Sequence, residues 1–381
     1  MLRLADPRFG DDAVAAIAKV LASGYLTQGP VVAEFEAAVA AFCGVPHAVA
    51  TTSATTALTL SLAALDVGPG DEVIAADFTY PATGNAVLQQ GATLRLADVD
   101  PATYCVAPDA VEALLTERTK AVLTVDVFGL PAAYETLEPL LAERGVALIC
   151  DAACSLGGGI GDRRTGSFGA MSCFSFHPRK SLTTGEGGMV LTADDALAER
   201  LRRLRNHGTE RNGWRATFVE PGFNMRMSDL NAALGLVQVP RHGETVARRG
   251  ALAARLTALL ADVPGVRPQV TLAGTTHPYQ AYVVVLDPEH DRDALIAALR
   301  DRGVESTLGT YAMHAEPAFQ RACGTRPGDL AASYALCEQT LALPLHERLE
   351  ERDMETVAAA LAEAMASTPR RLATTSARGT S

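Results

Sequence analysis

The run KAVLTVDVFGLPAAYETLEPLLAERGVALICD, residues 120–151, decides the architecture. Its two ends, KAVLTVDV (120–127) and GVALIC (145–150), are short, almost wholly apolar and rich in Val, Leu and Ile. Residues 132–143 between them read as a helix. A strand that is apolar throughout is buried on both faces, and a helix is the usual link between parallel neighbours of that kind. The stretch therefore predicts a strand–helix–strand unit of a mostly parallel sheet covered on both sides.

The same rhythm extends in both directions. Upstream lie short β-rich runs at 47–51, 72–76 and 93–97; downstream lie two more, at 171–176 and 188–192. Helix-like stretches at 55–65 and 108–116 separate several of them, and two helices, at 11–22 and 30–42, precede the first. A long helical segment is expected from about Ser228. A smaller unit follows, with a strand at 280–286, a helix at 291–301 and a strand at 303–307. These readings divide the chain into a large unit, 1–240, a small α/β unit, 241–366, and a polar tail, 367–381, expected to be disordered.

Bulk properties exclude several classes. The 381 residues carry a net charge of −11, which disfavours nonspecific binding to nucleic acid or an anionic membrane. Seven cysteines, an odd number without a CxxC pair, read as reduced thiols of a cytosolic protein. The eight histidines and seven cysteines show no zinc-like spacing, so no metal is expected. No segment is apolar for long enough to span a bilayer, and the first residues do not resemble a secretory leader.

Ligands of open parallel sheets gather beyond the carboxyl ends of the strands. The strand at 47–51 runs into Thr52, Ser53, Ala54, Thr55 and Thr56, small residues opening a helix whose free N–H groups suit a phosphate, or need only a cap. The strand at 72–76 delivers Asp77 and Tyr80. The strand at 145–150 delivers Asp151, a carboxylate that is costly at a buried strand end unless paired. The strand at 171–176 delivers Ser175 and then Lys180, in FSFHPRKSLTTGEGGMV (174–190). An amine, a carboxylate, an aromatic ring and a hydroxyl-rich helix start are together what pyridoxal 5′-phosphate requires.

With these residues in place the sequence resembles the DegT-like sugar aminotransferases, a branch of the fold-type I pyridoxal-phosphate enzymes, from about residue 8 to about residue 364. The likeness is carried by SGYLTQGPVVAEFE (23–36), TTSATTAL (51–58), GDEVIAADFTYPAT (70–83), GATLRLADVDPATY (91–104), TKAVLTVDVFGLPA (119–132), DAACSLGG (151–158), FSFHPRKSLTTGEGG (174–188), LRNHG (204–208) and GFNMRMSDLNAALG (222–235). It implies an α/β fold with a seven-stranded, mostly parallel sheet in the large domain and a smaller C-terminal α/β domain.

The resemblance also implies roles. Lys180 matches the Schiff-base lysine and Asp151 the carboxylate facing the pyridine nitrogen. Thr55 and Thr56 match the phosphate-binding helix start, Ser175 a phosphate-binding hydroxyl and Tyr80 the aromatic stacked on the ring. Asn224 matches an asparagine that reaches the neighbouring subunit's cofactor phosphate, implying a homodimer with shared active sites. Tyr25, Tyr311 and His314 are expected at the substrate, His314 with a structural hydrogen bond as its alternative. Arg211 and Arg215 could grip a nucleotide diphosphate or lie in a solvated loop. Three positions depart from the family's habit: Cys154, expected at the cofactor near its hydroxyl, stands where Gln or His is frequent, Ala54 where Gly is usual and Asp126 where His is frequent.

The implied activity is transfer of an amino group from glutamate or glutamine to a keto group of a nucleotide-linked deoxysugar. An alternative acceptor is a keto-cyclitol of the inosose type. An alternative of another class is a regulatory protein that binds the cofactor without turnover; the intact pair Lys180 and Asp151 speaks against it. Relatives that became dehydratases carry His in place of the lysine, which this sequence keeps.

Overall fold

The structure, a computed structural model, describes residues 1–368. At its centre is a seven-stranded sheet formed by β1 (His47–Thr51), β2 (Glu72–Ala76), β3 (Thr93–Ala97), β4 (Thr119–Val125), β5 (Ala147–Asp151), β6 (Met171–Ser175) and β7 (Gly188–Thr192). All seven expected strands are present, with ends within two residues of those read from the sequence. Their order across the sheet is β1–β7–β6–β5–β4–β2–β3, and only β7 runs against the others.

The apolarity of the inner strands has a direct cause. Successive side chains of a strand point to opposite faces. Ile74, Val122, Leu148 and Cys150 enter one core, while Val73, Ala75, Ala121, Leu123 and Ile149 enter another on the opposite face. Helices cover both sides: α1 (Asp11–Ser23), α2 (Pro30–Cys43), α3 (Ala54–Ala64), α4 (Ala82–Gln89), α5 (Pro108–Leu114), α6 (Tyr134–Ala142) and α7 (Asp195–Arg205) surround or connect the sheet.

The long helix expected from Ser228 is broken in two. Ser228 caps α8 (Asp229–Leu236), a 3-10 turn covers Val239–Arg241, and α9 (His242–Leu260) follows. Pro240 lacks an N–H and its ring disfavours a helical residue before it, so one continuous helix cannot pass through it.

The second unit is a four-stranded antiparallel sheet, β8 (Val266–Pro268), β9 (Tyr282–Leu286), β10 (Thr307–Leu308) and β11 (Thr340–Leu343), in the order β8–β9–β11–β10. It packs with α9, α10 (Arg292–Asp301) and, at the carboxyl side, the helix Glu351–Ser367 around a third core. Of the strand expected at 303–307, Val304 makes only an isolated bridge, to Leu2, and Thr307 begins β10. The amino-terminal residues, assigned by sequence to the unit 1–240, thus attach to the second unit, where the Leu4 N–H also donates to Glu305. Ser367, where the tail was expected to start, ends the last helix; residues 369–381 of that tail lie outside the described residues. No helix among the described residues is long and apolar enough to cross a membrane.

Two short pairings tie the units together beside the strand ends. Thr275–Thr276 pairs with Gly159–Ile160, and Tyr311–Ala312 pairs with Phe78–Thr79, directly after β2.

Candidate active site

Sheet register alone brings Thr51, Gly188 and Ser175 into one row across β1, β7 and β6. Just beyond β1, Ser53 caps α3 with a reciprocal box: its hydroxyl accepts the Thr56 N–H at 3.2 Å while the Thr56 hydroxyl accepts the Ser53 N–H at 2.9 Å. The N–H groups of Ala54 and Thr55 have no intrahelical acceptor, as at any helix start, and stand at the positive end of the helix dipole. A Cβ on Gly188 would come within 2.2 Å of the Ser53 carbonyl oxygen and 2.6 Å of the Ala54 nitrogen. Only glycine lets β7 press this close to the helix start. Ser175 lies beside it, its hydroxyl hydrogen-bonded among the described residues only by the His177 N–H at 3.4 Å.

Thr56 departs from expectation. Its hydroxyl donates to the Ser53 carbonyl at 2.8 Å, accepts from the Ser53 N–H and meets Thr52 at 3.1 Å. One proton and two lone pairs are thereby engaged. Thr56 builds the helix start, and the groups left for an anion are backbone N–H groups, with the half-buried Thr55 and Ser175 beside them.

Asp151 closes β5, the strand next to β6 in this row, and is 6% exposed. Thr83, buried on α4, donates to one carboxylate oxygen at 2.7 Å, and the Ala153 N–H to the other at 3.2 Å. Burial nevertheless holds the carboxyl above its ordinary pKa, against the pull of Thr83, Ala153 and the Lys180 charge. The Asp151 carboxylate is therefore short of positive charge, the condition a protonated ring nitrogen would relieve.

Lys180 enters from the loop after β6. Its amine lies 3.0 Å from the Cys154 sulfur, on the turn that follows Asp151. That turn is fixed from behind by Asp126, whose buried carboxylate accepts from Tyr134 at 2.6 Å, Ser155 at 2.5 Å and the Ala132 N–H at 2.9 Å. The lysine loop is held in turn by side chains of α8 and the segment after it: the Asn231 amide donates to the carbonyls of Thr184 and Glu186, and the Gln238 amide bonds both N–H and C=O of Thr183.

The aromatic residues divide. Tyr80 is 69% exposed and meets Tyr311 edge-on with ring centroids 6.4 Å apart, because the Tyr311 strand pairs with Thr79. Its exposed ring is free to stack. His314 corrects the substrate expectation: it is 0% exposed, its Nδ1 bonds the equally buried Asp77 at 2.6 Å and its Nε2 accepts the Gly328 N–H at 3.3 Å. With both ring nitrogens engaged in the interior, His314 takes the structural alternative. It latches the Tyr311 segment to the end of β2.

Tyr25 and Asn224 are exposed, and among the described residues no hydrogen bond joins either to the Lys180 amine or the Asp151 carboxylate. Tyr25 precedes Thr27, which bridges Ser228, while Asn224 bridges Asn206. Arg211 and Arg215 face each other's strands on an exposed hairpin, Thr209–Asn212 with Arg215–Phe218.

The residues that sequence reasoning missed are the holders: Thr83, Asn231, Gln238 and Gln280, whose amide bonds the Ser181 N–H and the Arg179 carbonyl. Thr83 and Asn231 had a usable signal, polar residues inside matched stretches; Gln238 and Gln280 had none, since their partners are backbone groups distant in the chain.

A sequence model of the DegT/DnrJ/EryC1/StrS aminotransferase family matches residues 7–362. The spore coat polysaccharide biosynthesis protein SpsC of Bacillus subtilis is 34% identical over 364 residues, covering 92% of this chain and 94% of its own. The GDP-perosamine synthase of Caulobacter vibrioides is 38% identical over 337 residues, 87% of this chain and 90% of its own. The crystal structure of the aminotransferase TlmJ from Streptoalloteichus hindustanus superposes with a TM-score of 0.90 at 36% identity, covering 96% of this chain and 99% of its own.

Proposed function

The chain belongs to the DegT/DnrJ/EryC1/StrS aminotransferase family, and we propose that it moves an amino group from glutamate or glutamine to a keto group on a nucleotide-linked deoxysugar. Like the aminotransferases of its family it depends on pyridoxal 5′-phosphate. When bound, that group supplies the electron sink for the carbanion left when a proton leaves the amino-bearing carbon.

The observation that carries the reading is one cluster at neighbouring strand ends: a lysine amine, a buried carboxylate short of positive charge, and a helix start cleared by Gly188. Each chain residue then has a task. Lys180 holds the cofactor by its amine and, when free, carries the proton to and from the substrate carbon as general base and acid. Asp151, kept at the site by Thr83 and the Ala153 N–H, keeps the ring nitrogen protonated. The first N–H groups of α3 and the Ser175 hydroxyl receive the phosphate, and the exposed Tyr80 covers the ring face.

The acceptor reading is supported by relatives. GDP-perosamine synthase is named for an amino sugar carried on a nucleotide, and SpsC for polysaccharide biosynthesis. The dimer reading is supported by what one chain leaves exposed. Tyr25, Leu26, Trp214, Phe218 and Asn224 face solvent. A second copy would cover such apolar residues and deliver Asn224 to a phosphate.

The test loads the purified protein with pyridoxal 5′-phosphate and adds glutamate or glutamine. Conversion of the cofactor's absorption to that of its amine form is expected, followed by recovery with one member of a panel of keto-deoxysugar nucleotides. An unchanged spectrum with every donor defeats the reading.

A further inference from the structure

We propose that Gln280 is a positioning residue for this reaction, fixing the Lys180 amine through the two peptide groups that flank it. The proposal rests on the reading of Lys180 given above. Gln280 Oε1 accepts the Ser181 N–H at 3.0 Å, and its Nε2 donates to the Arg179 carbonyl at 2.6 Å. Both ends of a single amide are used, one on each side of the lysine, and neither touches the lysine side chain.

The grip comes from the other unit of the protein. Gln280 sits just before β9, in a segment anchored from below by Arg249 of α9. Arg249, 3% exposed, donates to the Tyr279 carbonyl at 2.7 and 3.0 Å and to the Gln280 carbonyl at 2.9 Å, and pairs with Glu347 at 3.0 Å. Tyr279 adopts φ 48°, a left-handed conformation that a bulky residue accepts only where its surroundings impose it. Here they do: the His277 ring accepts the Tyr279 N–H at 3.0 Å and stacks on the Tyr279 ring at 3.9 Å. On the other side, a Cβ on Gly129 would lie 2.9 Å from the Cys154 carbonyl oxygen and 3.3 Å from the Gln280 nitrogen. The glycine lets the Gln280 and Cys154 segments close on each other.

The consequence concerns the reach of a flexible side chain. A lysine amine is separated from its backbone by four methylene groups, so its place relative to Asp151 is only as definite as the peptide that bears it. Cys154 meets the amine end, and Gln280 fixes the backbone end on both sides. An amine that serves as general acid and base must keep its distance to the reacting carbon within a fraction of an ångström, which is where a remote misplacement costs turnover.

The experiment compares Gln280→Ala, which removes both bonds, with Gln280→Glu, which keeps the acceptor for Ser181 but sets a carboxylate oxygen against the Arg179 carbonyl. Two quantities are read: kcat and KM of the loaded enzyme, and the acylation rate of Lys180 by acetic anhydride in cofactor-free protein, followed by peptide mass spectrometry across pH. Positioning predicts kcat lowered about 10- to 100-fold in Gln280→Ala with KM nearly unchanged. It also predicts a Lys180 acylation profile displaced from that of the wild type, with Gln280→Glu affected in both measurements. Unchanged kcat overturns the proposal. So does lowered kcat that follows melting temperature while Lys180 acylation stays as in the wild type, because that marks a purely structural bond. Should Gln280→Ala not fold, the same readings on Gln280→Glu decide. Lys180→Ala measured in parallel separates the two readings: full activity there removes Lys180 from the chemistry, whatever Gln280 does.

Discussion

The Cys154 sulfur and the Lys180 amine stand 3.0 Å apart, joining the turn after β5 to the loop after β6. Among the described residues the thiol is thus the group hydrogen-bonded to the atom proposed to carry the proton. Replacing Cys154 by Ser keeps a hydroxyl acceptor at nearly the same place, and kcat should stay within about threefold of the wild type. Cys154→Ala removes the partner, and the loss of a hydrogen bond to a charged group, about 1.5–3 kcal/mol, predicts a kcat roughly tenfold or more lower. Steady-state kinetics of the two variants check the ordering; an Ala variant as active as the Ser variant would free the thiol of this role.

Asp151 and Thr83 should be separable. Asp151→Asn removes the charge proposed to keep a ring nitrogen protonated while preserving the shape, so the protein should keep its cofactor and lose about a hundredfold or more in kcat. Thr83→Val removes only the donor to the carboxylate at 2.7 Å. That deletion makes ionised Asp151 costlier and should lower kcat about five- to tenfold. Cofactor absorption and kcat for both variants are the measurements, and equal losses would contradict the assignment.

Two buried histidines give stability a pH dependence of definite sign. Burial lowers His242 to about 4 and His277 to about 3, from an ordinary value of 6.5. Below pH 6.5 the unfolded chain binds protons that these folded-state rings refuse, so each contributes stability present above 6.5 and lost as pH falls toward its folded value. Buried Asp126, raised to about 6, acts oppositely: its contribution is present at low pH and lost as pH rises from 3.8 toward 6. In the protein His242 Nε2 donates to the Leu156 carbonyl at 3.1 Å, a bond a glutamine amide can replace. Between pH 6.5 and 4.5, His242→Gln should therefore lose about 2 kcal/mol less stability than the wild type. Urea unfolding at the two pH values tests this, and parallel losses would refute it.

Shared sites predict complementation. Lys180→Ala lacks the amine and Asn224→Ala lacks the amide proposed to reach the partner's phosphate. If an active site draws Asn224 from the other chain, a mixed dimer holds one site with both residues and one with neither. Mixing the two variants under conditions of subunit exchange should restore part of the activity that each lacks alone. No recovery after demonstrated exchange, or an active monomer, would place Asn224 elsewhere.

The sequence determined what depends on local pattern. Runs such as ALIC and AVLTV must be buried on both faces whatever the tertiary arrangement, because neither face offers a polar side to water, and this located the inner strands of the large sheet. Strand ends in turn located Lys180, Asp151 and the α3 start, since a parallel sheet presents its ligand groups there. Only the tertiary structure decided what depends on pairing between distant segments. β7 carries the same apolar pattern as its neighbours yet runs antiparallel between β1 and β6, and nothing local distinguishes the two directions. His314 looked available until the chain folded Asp77, 237 residues away, against it. Gln280 looked like any polar residue before a strand; its amide acquired a task when packing brought the peptide groups on both sides of Lys180 within its reach, across about 100 residues of chain. Burial pattern is a property of each segment, but hydrogen-bond partnership belongs to pairs of segments, and those pairs exist only in the folded chain.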